Sequence, residues 1–195
     1  MKIDLLYEIE TDRPFDRAHQ RELFEEVLAQ VELADRLGYH AAWFVEHHFL
    51  VEFAHSSAPE VILGALSQRT ERIRLGHGVV LLPYPFNHPI RVAERIATLD
   101  ILSGGRVEFG TGRSSAYEQL GFGIAPEESR AMWQEALSII PRMWRDEPFS
   151  YRGRFFDIPE RHVIPKPVQQ PHPPISVSYT HLRAHETPEH LVCRL

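Results

Sequence analysis

Glu46-His47-His48 sets a carboxylate beside two imidazoles. Imidazole is the side chain whose ordinary pKa lies nearest neutral pH, so this triplet can take up or deliver a proton at a bound substrate. Arg113 follows Gly110-Thr111-Gly112, and Arg130 sits in the first turn of a helical segment. Guanidinium forks and a helix N-terminus both favour a phosphate. The competing use of the two arginines is pairing with Glu118, Glu127 or Glu128. Gly110 and Gly112 favour the ligand reading, because a residue without a Cβ lets a ligand approach the backbone.

Metal chemistry suits these residues poorly. Ligands on one face of a strand recur at i, i+2, whereas His47 and His48 are adjacent and point to opposite faces. No His-x-His pair occurs. Near the end, His181, His185, His190 and Cys193 imitate a zinc pattern. The spacing from His185-Glu186 to His190 misses the metalloprotease motif by one residue, and Pro188 interrupts the helix that motif needs. No metal site is expected. His55 and His77 read equally well as packed or capped residues.

The scaffold for these groups follows from two alternating periods. Residues 3–9, 41–45, 73–82 and 106–110 are short runs with strand character, and 73–82 is apolar almost throughout, as a strand buried on both faces should be. Residues 19–37 carry one apolar stripe through Leu23, Val27, Val31 and Ala34, and Gly38 is placed to end that helix. Further helices are predicted over 59–69, with Pro59 near the start, over 89–102, and over 127–144, where Pro141 should kink the helix near Leu137. Beyond them, 149–174 reads as an irregular insertion with a short hairpin, and Ile175-Ser176-Val177 as the start of a fifth strand. Consecutive βα units imply a parallel sheet, either open and doubly wound or part of a barrel. Active sites of such folds gather at the carboxyl ends of the strands, where 46–49, 87–89 and 110–115 fall.

The 195 residues are 43% hydrophobic and 25% charged, which excludes disorder and a disulfide scaffold. A net charge of −6 with no basic cluster argues against nucleic acid. No apolar run is long enough to span a bilayer, so no membrane association is expected. The N-terminus has no secretory h-region and the single Cys193 cannot form an internal disulfide. These features predict a soluble, cytoplasmic protein.

In order, Gly38-Tyr39 to Trp43, then Glu46-His47-His48-Phe49, then Gly76-His77-Gly78-Val79-Val80-Leu81-Leu82-Pro83 with His88-Pro89-Ile90-Arg91, then Ser103-Gly104-Gly105-Arg106-Val107-Glu108-Phe109-Gly110 resemble the bacterial luciferase-like flavin monooxygenases. The resemblance runs over residues 1 to about 177 and implies a TIM barrel. It implies reduced FMN from a separate flavin reductase, with oxygen and an organic donor as substrates, and a dimer. The Glu-His-His triplet looks like the FMN-type branch rather than the deazaflavin branch. Carried over by position, His47 resembles the histidine that assists chemistry at the flavin, with Glu46 before it. Gly78-Val79 match a pair joined by a non-proline cis peptide in a β-bulge under the flavin ring. Arg113 and Arg130 match the arginines that hold the flavin phosphate. Gly112 replaces a cysteine that luciferase places near the flavin, a departure that sets light emission and aldehyde specificity aside.

A barrel needs eight strands, and this sequence supplies four βα units and the start of a fifth strand. The expected fold is therefore an incomplete TIM barrel over 1–177. Residues 178–195 resemble a translated adapter read-through and are read as a foreign tail. The inward faces, including Leu5, Phe44, Val79 and Phe109, then lack an opposing layer, and the chain is expected to bind FMN weakly and to be poorly soluble. Two other functions stay open: a deazaflavin-dependent hydride-transfer oxidoreductase, and a non-catalytic flavin-binding or partner protein.

Overall fold

In the computed structural model, which describes residues 2–177, capping sets the first helix. The Asp16 carboxylate accepts hydrogen bonds from the Ala18 and His19 amides, and Gly38 ends the helix at φ 81°, the left-handed conformation glycine takes without a Cβ clash. The elements run β1 (Asp4–Tyr7), α1 (Arg17–Leu37), β2 (Ala41–Phe44), α2 (Pro59–Ser67), β3 (Arg74–Leu81), α3 (Pro89–Leu102), β4 (Val107–Gly112), α4 (Ala116–Gly121), α5 (Pro126–Met143), β5 (Phe149–Arg152), β6 (Asp157–Arg161) and β7 (Ile175–Val177). The main sheet has the order β1-β2-β3-β4-β7 and is parallel throughout. β5 and β6 form an antiparallel pair within the insertion.

This is the expected parallel α/β arrangement, with the fifth strand in place beside β4. Three details differ from the sequence reading. β4 extends through Gly112, so the Gly-Thr-Gly segment is strand and not loop. A short helix, α4, precedes the long α5. α5 runs Pro126–Met143 against the expected 127–144, and Pro141, two residues before its end, leaves the Leu137 carbonyl without a helical N–H donor.

The faces of the sheet also differ. Leu5, Phe44 and Phe109 were expected to point into the barrel. Instead they belong to the core between sheet and helices, where Phe109 meets the Trp144 ring edge-on. The opposite face carries Leu6, Trp43 and Glu108, paired in register across the strands with Gly76, and Leu6 is 63% exposed. Trp43 occupies the space beside Gly76, where a Cβ would lie 2.3 Å from its ring. Continuous apolar runs carry no alternation, so they cannot say which residues face the helices. Val79 does remain on the open side, where it lines the cleft described below.

Two buried carboxylates fix the loops at the amino ends of the strands. Asp35 accepts the amides of Glu71, Arg72 and Ile73 at 3.0, 2.9 and 2.6 Å, tying α1 to the start of β3. Asp100 accepts the amides of Val168 and Gln169 at 2.8 and 2.9 Å and holds the insertion against α3.

β3 and β4 lose register between His77 and Val80: His77 pairs Phe109 and Val80 pairs Thr111, so β3 holds one extra residue. The expected bulge at Gly78-Val79 is therefore present. The expected cis bond is not, since the cis peptides among the described residues are Ile164–Pro165 and Gln170–Pro171. The bulge takes up the extra residue with a trans peptide and avoids the roughly 2.5–4 kcal/mol of a non-proline cis bond. β4 makes room with glycines. A Cβ on Gly110 would lie 2.0 Å from the His77 carbonyl oxygen, and one on Gly112 would lie 2.5 Å from Val79 Cγ2. Gly110→Ala should therefore cost at least about 1–3 kcal/mol, the range for overpacking, because its clash is with backbone. Gly64→Ala in α2, where a Cβ meets nothing within 4 Å, should gain about 0.5–1 kcal/mol. Urea midpoints of the two variants against wild type read both signs.

Candidate active site

The carboxyl ends of β2, β3 and β4 converge on a cleft of about 470 Å³, within the size range of ligand pockets. Its wall includes Glu46, His47, Gly78, Val79, Gly112 and Arg113. Six of the seven candidate residues thus meet in one place. Arg130, exposed at the fifth position of α5, is not part of this lining, although Pro126 one turn earlier is.

The geometry of the histidines is set by Glu118, whose carboxylate is 0% exposed. His47 Nδ1 donates to its Oε1 at 3.0 Å, and the His48 amide donates to the same oxygen at 2.8 Å. Its Oε2 accepts from the hydroxyls of Ser114 at 2.6 Å and Ser115 at 2.8 Å. Burial alone would raise the pKa of Glu118, but the bonds from His47, Ser114, the His48 amide and Ser115 outweigh it and hold the group well below the usual carboxylate range. An ionised carboxylate only accepts, so the proton of His47 lies on Nδ1 and Nε2 is left for other chemistry. The Glu118 hydrogen bond, opposed by partial burial, raises the pKa of His47 above its ordinary 6.5.

His48 points the other way. Its Nε2 lies 3.4 Å from Glu46 Oε1, and its ring packs on Phe86 and Phe122. Glu46 is a second buried carboxylate. It accepts the Leu81 amide and the Asn87 side-chain amide, each at 2.8 Å, and so ties the β2 loop to the end of β3. His77 is packed in the core. Burial and the nearby Arg95 push its pKa down to about 3, so it is neutral at physiological pH.

Neither arginine pairs with Glu118, Glu127 or Glu128. Glu118 is engaged by His47, Glu128 is held by Arg154, and Arg113 Nη1 donates to Ser129 Oγ at 3.1 Å. The glycines have a different use from the one expected. At 110 and 112 a Cβ would meet the bulge itself and not open space, so these residues let β4 pack under β3.

Among the described residues, three other than glycine have positive φ: Ile9, Phe49 and Ser114, at 62°, 64° and 68°. They lie in the segments that follow the carboxyl ends of β1, β2 and β4, and Ser114 lines the cleft. Such strain is held only where the surroundings enforce it, and it collects at functional sites. Ser114 is held by Glu118, and Phe49 is seated on Gly121, where a Cβ would lie 2.4 Å from its ring. Glu118 is the functional residue that sequence reasoning misassigned. Ser115-x-x-Glu118 is a capping-box pattern, and both of its hydrogen bonds form at the start of α4, which is the signal that could have placed it on a helix.

Residues 9–185 match the family described as luciferase-like monooxygenase. The chain belongs to that family. It is 33% identical over 181 residues to the oxygenase component of the flavin-dependent trigonelline monooxygenase of Acinetobacter baylyi, covering 91% of this chain and 49% of that protein. The crystal structure of the monooxygenase RslO1 from Streptomyces bottropensis superposes with a TM-score of 0.83 at 36% identity, over 91% of this chain and 53% of that one. The oxygenating constituent of 3,6-diketocamphane monooxygenase from Pseudomonas putida, solved with FMN, gives 0.79 at 25% identity, over 91% and 51%. This luciferase-like chain thus spans about half the length of the relatives it matches. The tail at 178–195 lies outside the described residues.

The Glu118–His47 pair sets a pH dependence of stability. Glu118 has a folded pKa below the ordinary 4.5, so its stabilisation is present above that pH and fades as the pH falls through the folded value. His47 has a folded pKa above 6.5, so its share is complete below 6.5 and is lost as the pH rises through the folded value. The pair therefore contributes most between 4.5 and 6.5. Glu118→Gln should cost about 1–3 kcal/mol there, and the difference from wild type should narrow well above both values. Thermal melts of the two proteins across pH check it.

Proposed function

We propose that this chain carries the flavin-facing half of an FMN-dependent monooxygenase, which takes reduced FMN from a separate reductase and oxygenates a small organic donor. The observation that carries this reading is the cleft at the strand ends, with His47 locked by Glu118 on one wall, Arg113 on the other and the Gly78-Val79 bulge as its floor. Relatives support the cofactor and the partner: one is named as an oxygenase component, and another was solved with FMN. A cytoplasmic setting fits the single cysteine and the lack, among the described residues, of any helix long and apolar enough to cross a membrane. Pairing of two subunits belongs to the same proposal.

The residues fit the cofactor. The cleft is large enough for a flat ring system, a glycine-containing bulge lets the ring approach the backbone, and Arg113 offers a guanidinium to a phosphate. Arg130, on the adjoining helix turn, would join it there. FMN, when bound, supplies the electrons that activate oxygen. Val79 and Leu81, which line the cleft, would give the ring an apolar bed and help exclude water. His47 keeps its Nδ1 proton on Glu118 and so has Nε2 free to hold or move a proton at the reacting atom.

The sheet has two open edges among the described residues, at β1 and β7, and more strands would be needed to close a barrel. In the closed barrel, His47→Ala should lower turnover roughly 10²–10⁴-fold with FMN affinity unchanged. Arg113→Ala should instead weaken FMN binding roughly 10- to 100-fold, the value of a charged hydrogen bond. Fluorescence quenching by titrated FMN and steady-state rates separate the two. The chain as given should bind FMN more weakly than micromolar, since few exposed contacts fall short of the ~8 kcal/mol that affinity needs. Tight binding of a deazaflavin in place of FMN would move the assignment to hydride transfer.

A further inference from the structure

We propose that Glu8 is a positioning residue of this site: its buried Oε2, without a hydrogen-bond partner, faces His47 Nε2 at 3.8 Å and favours a proton there. The proposal deepens the functional reading above and rests on it for its role in catalysis, while the pairing itself is a property of the apoprotein.

The backbone aims this carboxylate. Glu8 is the first residue after β1, and Ile9 then turns the chain at φ 62° with its own side chain buried. The Ile9 carbonyl accepts the His55 amide at 3.1 Å, and the Thr11 amide donates to the Glu52 carbonyl at 3.0 Å. The β1 loop is thereby tied to the loop that follows His47, and Glu8 has little freedom to swing away.

His47 lies between two carboxylates that differ in one respect. Glu118 is saturated: both of its oxygens accept from donors on two loops, and its charge is fixed. Glu8 has an oxygen that is buried and accepts nothing, a state that costs free energy unless a proton arrives. The cationic donor that the structure sets beside it is His47 Nε2, at 3.8 Å. Burial raises the pKa of Glu8, the charge of His47 opposes this, and Glu10 and Glu118 add to the rise. The charged groups facing His47 are Glu8 from β1, Glu46 from its own loop and Glu118 from α4, all acidic, and each favours the imidazolium. A separation of 3.8 Å is closed by a small rotation of either side chain or by one bridging water. Glu118 then orients the ring and Glu8 sets how readily Nε2 keeps its proton. Proton gain at Nε2 and proton loss at Glu8 are coupled, with one proton shared between them.

The test is the titration of the His47 ring, followed by NMR in the full chain with and without FMN. Glu8→Gln removes the charge at nearly constant shape, and the His47 midpoint should move to lower pH while FMN affinity stays unchanged. The pH profile of turnover should move the same way. Glu8→Asp, which retains the charge, should recover most of the shift. An unchanged His47 midpoint in Glu8→Gln overturns the proposal. Should that variant not fold, wild type labelled at the Glu side-chain carboxyl carbon decides: the Glu8 signal should show a second inflection at the pH where His47 titrates, and its absence overturns the coupling. Failure of the closed barrel to bind FMN, with a shifted midpoint, would sink the flavin reading and leave the pair standing.

Discussion

A carboxylate taken out of water must find donors, and Glu118 finds them only when the loops after β2 and β4 meet. An uncompensated buried charge costs several kcal/mol, more than most single contacts in a domain contribute. The positions of His47, His48, Ser114 and Ser115 are therefore consequences of one electrostatic requirement. Glu46 imposes a second on the neighbouring flank, through the Leu81 amide and Asn87. Between them the two acids hold the β2 loop against both β3 and β4, and the His47 imidazole inherits its tautomer from that framework.

The same framework sustains conformations that the chain would otherwise avoid. Each of Ile9, Phe49 and Ser114 holds a left-handed backbone at a cost of order 1–3 kcal/mol. The offsetting contacts are visible: Ile9 is buried, Phe49 packs on Phe122 and over Gly121, and Ser114 donates to Glu118. Strain and buried charge thus lie at the same end of the sheet, while its helix side is conventional apolar core.

Much of this was legible in the residues. Parallel strands buried on both faces read as apolar runs, and α1 shows a long stripe with a clear glycine stop, so the alternation of βα units stood out. What failed did so for physical reasons. α4 is six residues long, too short for periodicity to register. The faces of β1 and β2 were misread because Asp4–Tyr7 and Ala41–Phe44 do not alternate polar with apolar. The Glu118–His47 contact spans 71 positions, and no local pattern encodes it. Gly110 and Gly112 stood out in the sequence as permissive, but only the bulge on β3 explains what they permit. The site residues at 46, 47, 78, 79, 112 and 113 came together because strand ends, once located, converge by topology.

The placement of the tryptophans gives the protein a built-in optical reporter. Of the three, Trp133 and Trp144 are buried on the helix side, their indole N–H groups bound to Thr111 Oγ1 and the Ala93 carbonyl. Trp43 alone stands on the open face, its indole N–H on Asp4 Oδ2 and its ring across Gly76. Its emission senses whether that face meets water or protein, while the other two supply a constant background. The intrinsic fluorescence spectrum thereby distinguishes an open sheet from one covered on its inner surface, with no label and no cofactor added.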